Sequence, residues 1–236
     1  MRVRPAEPGD HGAIRRLFRA TLAGGQPLPF AVPGLAGYEA LCLDWYLGPG
    51  LSAAAVAEDM GTVVGYALVC LDERSHRRWA RRRAVVWAGR AVVSMARRST
   101  SPTARTFLWL RIADGLAAWS AGRASPMPAH AHLNIASGAR RGVAAARLVG
   151  HIDDVCARHG ATGWYGEINT RGGRRATALE RLVGEVVHQA PNRTLSWLAG
   201  EPVQRLTLVR TLNSPDRRSS VSSGVDDDAY MRVVET

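Results

Sequence analysis

His130, His132 and Asn134 alternate with Ala131, Leu133 and Ile135, and the run then breaks at Ser137-Gly138. In an extended strand alternate residues share a face, so both imidazoles and the amide point the same way. An imidazole titrates near neutral pH and can take or give a proton there. Either histidine reads equally as a hydrogen-bonded structural residue. Arg140, Arg141, Gly142, Val143, Ala144 and Ala145 follow and open a helix of small residues. Free backbone N–H groups and the helix dipole favour negative charge at such an N-terminus, and the lack of bulk at Gly142 and Ala144 lets an anion come close. The alternative reading is an ordinary strand-to-helix connection with surface arginines. If the site is functional, it joins proton-transfer groups to a seat for a phosphate-bearing cofactor.

A carboxylate offers a second possible base. Tyr165, Glu167 and Asn169 share one face of the next strand, where Glu167 reads either as a base or as a solvent-facing or ion-paired side chain. Other chemistries are excluded by composition. All 31 basic residues are arginine, and a chain without lysine has neither a P-loop lysine nor a Schiff-base lysine for pyridoxal chemistry. Cys42, Cys70 and Cys156 are scattered and odd in number, so they read as small buried hydrophobes, with no disulfide framework and no metal site expected.

The formal charge of +11 raises nucleic acid as a partner. The all-arginine, alanine-rich composition looks as much like the product of high-GC coding, and a nucleic-acid partner is not expected. No uncharged apolar run reaches the ~18 residues of a membrane span, and MRVRPAEPGD lacks a signal-peptide core. A cytoplasmic protein is the expectation.

Elements must position these residues. Val3-Arg4 ends a first strand, and Asp10 offers an N-cap to a helix whose apolar face is Ile14, Leu17, Phe18 and Leu22. Prolines make 26–50 mostly loop, with a short helix over Tyr38–Tyr46. Ala53–Glu58 and Thr62–Leu71 form a hairpin around Asp59-Met60-Gly61. Between Arg74 and Asp114 stand eleven arginines, and two amphipathic helices, Ala84–Ala96 and Phe107–Trp119, are expected there. They read as packing on the domain, as a lid or pocket wall, or as a face for a membrane surface or partner. A helix over Val143–His159, a strand over Thr162–Ile168, a helix over Arg174–Leu182 and strands over Glu185–Gln189 and Gln204–Thr211 complete the core. A disordered tail is expected over 213–236.

This order of elements resembles the GNAT superfamily of acyl-CoA-dependent N-acyltransferases. VRPAEPGDHGAIRRLFRAT looks like the family's first strand and helix, VAEDMGTVVGYALV like its second and third strands, ARRGVAAARLV like its pyrophosphate-binding motif, and ALERLVGEVV like its late helix and following strand. The resemblance covers Met1 to about Leu71 and Ala129 to about Leu212. It implies an α/β (α+β) fold: a central mixed, mostly antiparallel sheet flanked by helices over 1–212, with a helical, arginine-rich insertion at 74–128 between the third and fourth strands.

The resemblance also implies acetyl-CoA (acyl-CoA) as co-substrate, an amine of a small molecule or peptide as acceptor, and a possible homodimer. Amides around Arg140, Arg141, Gly142, Val143, Ala144 and Ala145 would hold the pyrophosphate, and the Asn134 and Ile135 backbone would pair with the pantetheine arm. Direct attack by the amine needs a base, for which His132 is the first candidate, His130 the second and Glu167 the alternative. Two departures stand out. Ala139 occupies the motif's first basic position, and Leu179 and Gly173 stand where many members carry a tyrosine and an asparagine. Water or Tyr165 would then protonate the leaving thiolate, or the domain would bind acyl-CoA as a sensor or partner module without efficient turnover.

Overall fold

A computed structural model describes residues 1–120, 127–139 and 142–212. Arg140, Arg141 and the tail expected at 213–236 lie outside the described residues. In chain order the strands are β1 (Arg2–Pro5), β2 (Ala55–Asp59), β3 (Thr62–Cys70), β4 (Ala129–Ile135), β5 (Gly163–Thr170), β6 (Glu185–Pro191) and β7 (Gln204–Thr211). The helices are α1 (His11–Ala20), α2 (Leu35–Leu47), α3 (Glu73–Ala96), α4 (Pro102–Ser120), α5 (Gly142–Arg158), α6 (Arg174–Val183) and α7 (Arg193–Ala199).

The strands form one sheet in the order β1-β2-β3-β4-β5-β7-β6. Among the described residues only β4 and β5 run parallel; every other neighbouring pair is antiparallel. The parallel pairing joins Ala129–Ala131 to Trp164–Gly166, while β4 continues to Ile135 and β5 to Thr170. The two strands therefore diverge at the centre of the sheet, and the wedge between them opens toward the N-terminus of α5.

Alternation along the strands builds a core on each face. Ala55, Ala57, Ala67, Val69, Ala131 and Ile135 face α5, whose Leu148, Ile152 and Val155 are buried against them. Ala54, Val56, Tyr66, Leu68 and Cys70 face the other way, against Ile14, Leu17 and Phe18 of α1 and Leu43, Tyr46 and Leu47 of α2. Gly65 sits where β3, β4 and α5 crowd together: a Cβ there would lie 3.2 Å from the Asn134 carbonyl oxygen and 3.3 Å from Leu148.

The helical segment between β3 and β4 has a core of its own. Trp87 and Ala91 of α3 and Phe107 and Leu108 of α4 pack with Val32 from the loop before α2. The expectation of a helix starting at Ala84 is corrected. α3 begins at Glu73, about three turns earlier. Asp72 caps it by accepting the Ser75 N–H at 3.0 Å, and arginine is a good helix former, so the basic run continues the helix. Aromatic faces attract some of these cations: Arg81 lies over Trp119, Arg83 over Trp79 and Arg111 over Tyr38. α4 likewise starts at Pro102, the first helical position being one that tolerates proline.

Two further differences have local causes. Asp10 does not cap α1 through its side chain; its carboxylate accepts from Arg4 at 2.7 and 2.9 Å and from the Glu7 N–H at 2.8 Å. α7 lies between the last two strands, where the sequence pattern predicts no helix. Asn192 caps it, accepting the Leu195 N–H at 2.9 Å, and buried Asp114 reaches over from α4 to accept from Arg193 N, Thr194 N and Thr194 Oγ1. Among the described residues no helix is long and apolar enough to cross a membrane.

Candidate active site

β4 delivers its polar face to the α1–α2–α3 side of the sheet. His130 lies at the closed end of the β4–β5 wedge, opposite Cys70 on β3 and Tyr165 on β5. The start of α3 passes over this point, and Glu73 contacts His130 there. The Glu73 Oε2 and His130 Nδ1 atoms are in hydrogen-bond contact, while Tyr46 Oη of α2 lies 2.6 Å from His130 Nε2. Glu73 Oε1 accepts from Arg77 Nε at 2.6 Å and from the Tyr165 hydroxyl at 3.1 Å.

These contacts fix the charge state of the group. Burial works to raise the Glu73 carboxyl, but the bonds from His130 and Arg77 overcome it and hold its pKa at about 2. An ionised Glu73 accepts the Nδ1 proton of His130. Whenever Nε2 carries no proton, its lone pair faces the Tyr46 hydroxyl, which then donates to it. Burial raises the phenols of Tyr46 and Tyr165 well above their ordinary value, so both keep their protons at neutral pH.

His132 lies two residues along the same face, among the rings of Phe18, Tyr46 and Tyr66. Burial among these rings first, and neighbouring His130 second, lower its pKa to about 4. Asn134 turns its side chain to Tyr66 Oη at 3.2 Å and to the Thr21 hydroxyl, tying β4 to the end of α1. Ile135 is buried on the opposite face against the α5 core.

Gly142 opens α5, Val143 is exposed, Ala144 is fully buried and Ala145 packs partly buried on the same core. Small residues thus seat the first turn of α5 close to the sheet at the mouth of the wedge. Glu167 is not brought to the histidines. Its side chain is 44% exposed and lies 3.8 Å from Arg205 of β7.

Sequence reasoning missed Glu73, Arg77 and Tyr46. Glu73 and Arg77 stand on one face of α3, four residues apart, but the segment carrying them was not recognised as helix. Leu179 packs against the main core, so the side chain at that position is apolar filling in α6.

No protein-family model and no curated protein sequence matches the chain. Solved structures do resemble it. SsHAT superposes with a TM-score of 0.54 at 18% identity, over 90% of this chain and 98% of that one. A polyamine N-acetyltransferase of Drosophila melanogaster that forms N-acetylagmatine gives 0.52 at 14% identity, over 89% and 99%. A phosphinothricin acetyltransferase of the GNAT superfamily from Sinorhizobium meliloti, in complex with AcCoA, gives 0.51 at 17% identity, over 89% and 88%. The strand order, the single parallel pair, the central wedge and these likenesses together give the chain the fold of the GNAT N-acetyltransferases.

Proposed function

We propose that the protein is an acetyl-CoA-dependent N-acetyltransferase that acylates an amine of a small molecule or peptide by direct attack on the thioester. The observation that carries this reading is the Glu73–His130–Tyr46 chain at the closed end of the β4–β5 wedge. The pyrophosphate would sit on the amides of the first turn of α5, from Gly142 to Ala145, which Arg140 and Arg141 precede in sequence. From Ile135 back to Ala131, β4 spans about 13 Å, a length suited to an extended pantetheine arm that ends beside His130 and His132.

In this scheme His130 is the base. Its Nε2 lone pair takes the ammonium proton through the Tyr46 hydroxyl or a water, and Glu73 steadies the imidazolium that results. His132, held neutral, is a second acceptor on the same face. Tyr165, kept protonated by burial, supplies the proton for the leaving thiolate in place of the tyrosine that Leu179 replaces. The neighbours' AcCoA complex and their action on polyamine and phosphinothricin support an amine acceptor.

Calorimetry with CoA and a thiol-release assay over an amine panel test the proposal. Binding with release that drops about a hundredfold in His130→Ala is the expected result. Absence of CoA binding would overturn it. Binding without release on any amine would favour an acyl-CoA-binding module, the reading that Leu179 motivates.

A further inference from the structure

The residues around His130 also form a convergent set of metal donors. Cys70 ends β3, Glu73 opens α3 and His76 follows about one turn later, so a Cys-x-x-Glu-x-x-His run bends around the strand-to-helix corner. His130 meets it from β4. One donor atom from each of these four residues lies within 4.8 Å of every other. Four-coordinate zinc, with bonds of about 2.0–2.3 Å, sets its ligand atoms about 3.3–3.8 Å apart, so shifts of about 1 Å would close the shell.

We propose that Cys70, Glu73, His76 and His130 bind one divalent transition-metal ion of the zinc class. The donor set matches such an ion in charge, because one thiolate and one carboxylate balance the dication and both imidazoles are neutral. It matches in softness as well, since thiolate and imidazole favour zinc or cobalt over magnesium or calcium.

An independent observation points to a ligand. Nδ1 of His76 is buried and has no hydrogen-bond partner among the described residues, although its ring centroid is 4.7 Å from that of His130. A buried nitrogen lone pair left without a donor is costly, and a metal ion satisfies it.

The outer shell is already in place. Tyr46 holds His130 Nε2, while Arg77 and Tyr165 hold Glu73 Oε1. That leaves His130 Nδ1 and Glu73 Oε2 facing each other across a proton, and the ion would take that proton's place. On binding, the Cys70 thiol gives its proton to solvent. His130 then binds through Nδ1 and carries its proton on Nε2, which donates to Tyr46 Oη. The loaded form has no lone pair on His130 Nε2 for proton transfer.

The inference does not rest on acetyl transfer, and its test reads the metal alone. The full chain, stripped with a chelator, is titrated with Co²⁺. The expected result is saturation at one equivalent, with tetrahedral d–d bands in the visible, a thiolate-to-cobalt charge-transfer band in the near ultraviolet, and displacement by Zn²⁺. Cys70→Ser abolishes the charge-transfer band, and His76→Gln weakens binding at least tenfold. Absence of the charge-transfer band in the wild-type protein would overturn the proposal whether or not the variants fold. Binding that is unchanged in folded Cys70→Ser and His76→Gln would also overturn it.

Discussion

The Tyr46 hydroxyl of α2 lies 2.6 Å from Nε2 of His130 on β4, and this contact links two elements separated by 84 residues in sequence. With Glu73 on the far side of the ring, each nitrogen of His130 has one partner and one orientation. An imidazole clamped in this way does not need to reorganise while it accepts a proton, and reorganisation is what a preorganised site removes from a barrier.

Removing either clamp should therefore slow acyl transfer more than it weakens cofactor binding. Tyr46→Phe keeps the ring's packing and deletes only the hydroxyl. We expect kcat to fall about tenfold, and about a hundredfold in Glu73→Gln, with KM for acetyl-CoA unchanged within about twofold. Steady-state thiol release with each variant checks this, and a change in KM alone would place these residues outside the proton path.

Gly142→Glu puts bulk and negative charge at the first turn of α5. CoA affinity should fall by at least about a hundredfold, which corresponds to about 3 kcal/mol, while the far-ultraviolet circular dichroism stays that of the wild type. Calorimetry that finds unchanged affinity would remove the pyrophosphate from this turn.

Asp114→Ala leaves the first N–H groups of α7 and the buried Thr194 hydroxyl without their acceptor. A loss of about 2 kcal/mol in unfolding free energy is expected, with Asp114→Asn less severe because its carbonyl oxygen still accepts. Denaturant midpoints at constant slope measure both.

His76 and His132 are each lowered from 6.5 to about 4, by burial first and by the neighbouring His130 second. Between those values the unfolded chain binds protons that the folded chain does not. Stability is therefore complete above pH 6.5 and falls as the pH drops toward 4. In chelator-treated protein, His132→Asn should flatten part of this slope. Denaturant midpoints at pH 7 and pH 5 give the comparison, and an equal slope in the variant would refute burial of a neutral His132.

Local pattern was enough to read much of the frame. The Ala53–Leu71 hairpin shows in its alternation and turn, and the passage from β4 to α5 shows in polar alternation followed by small residues. The same alternation put His130, His132 and Asn134 on one face, as the structure does. What could not be read depends on tertiary contact. Glu73 lies 57 residues from His130, and nothing in either neighbourhood announces the other. The first half of α3 carries too many arginines to show an apolar period, and one of them, Arg81, lies over Trp119 of α4, which the sequence alone cannot place beside it. α7 is short, and much of its support comes from Asp114, 79 to 80 residues earlier in the chain.

The three-residue parallel pairing between β4 and β5 has a mechanical meaning. It is the seam at which two antiparallel ribbons, β1 to β4 and β5 to β6, are joined into one sheet. α5 packs against β2, β3, β4 and β5 and so straps both ribbons from one side. A wedge held within the sheet by so short a seam can flex without breaking either ribbon's own ladder. Slow opening detected by amide exchange should therefore concentrate at Ala129–Ala131 and Trp164–Gly166, making the seam the hinge of the molecule.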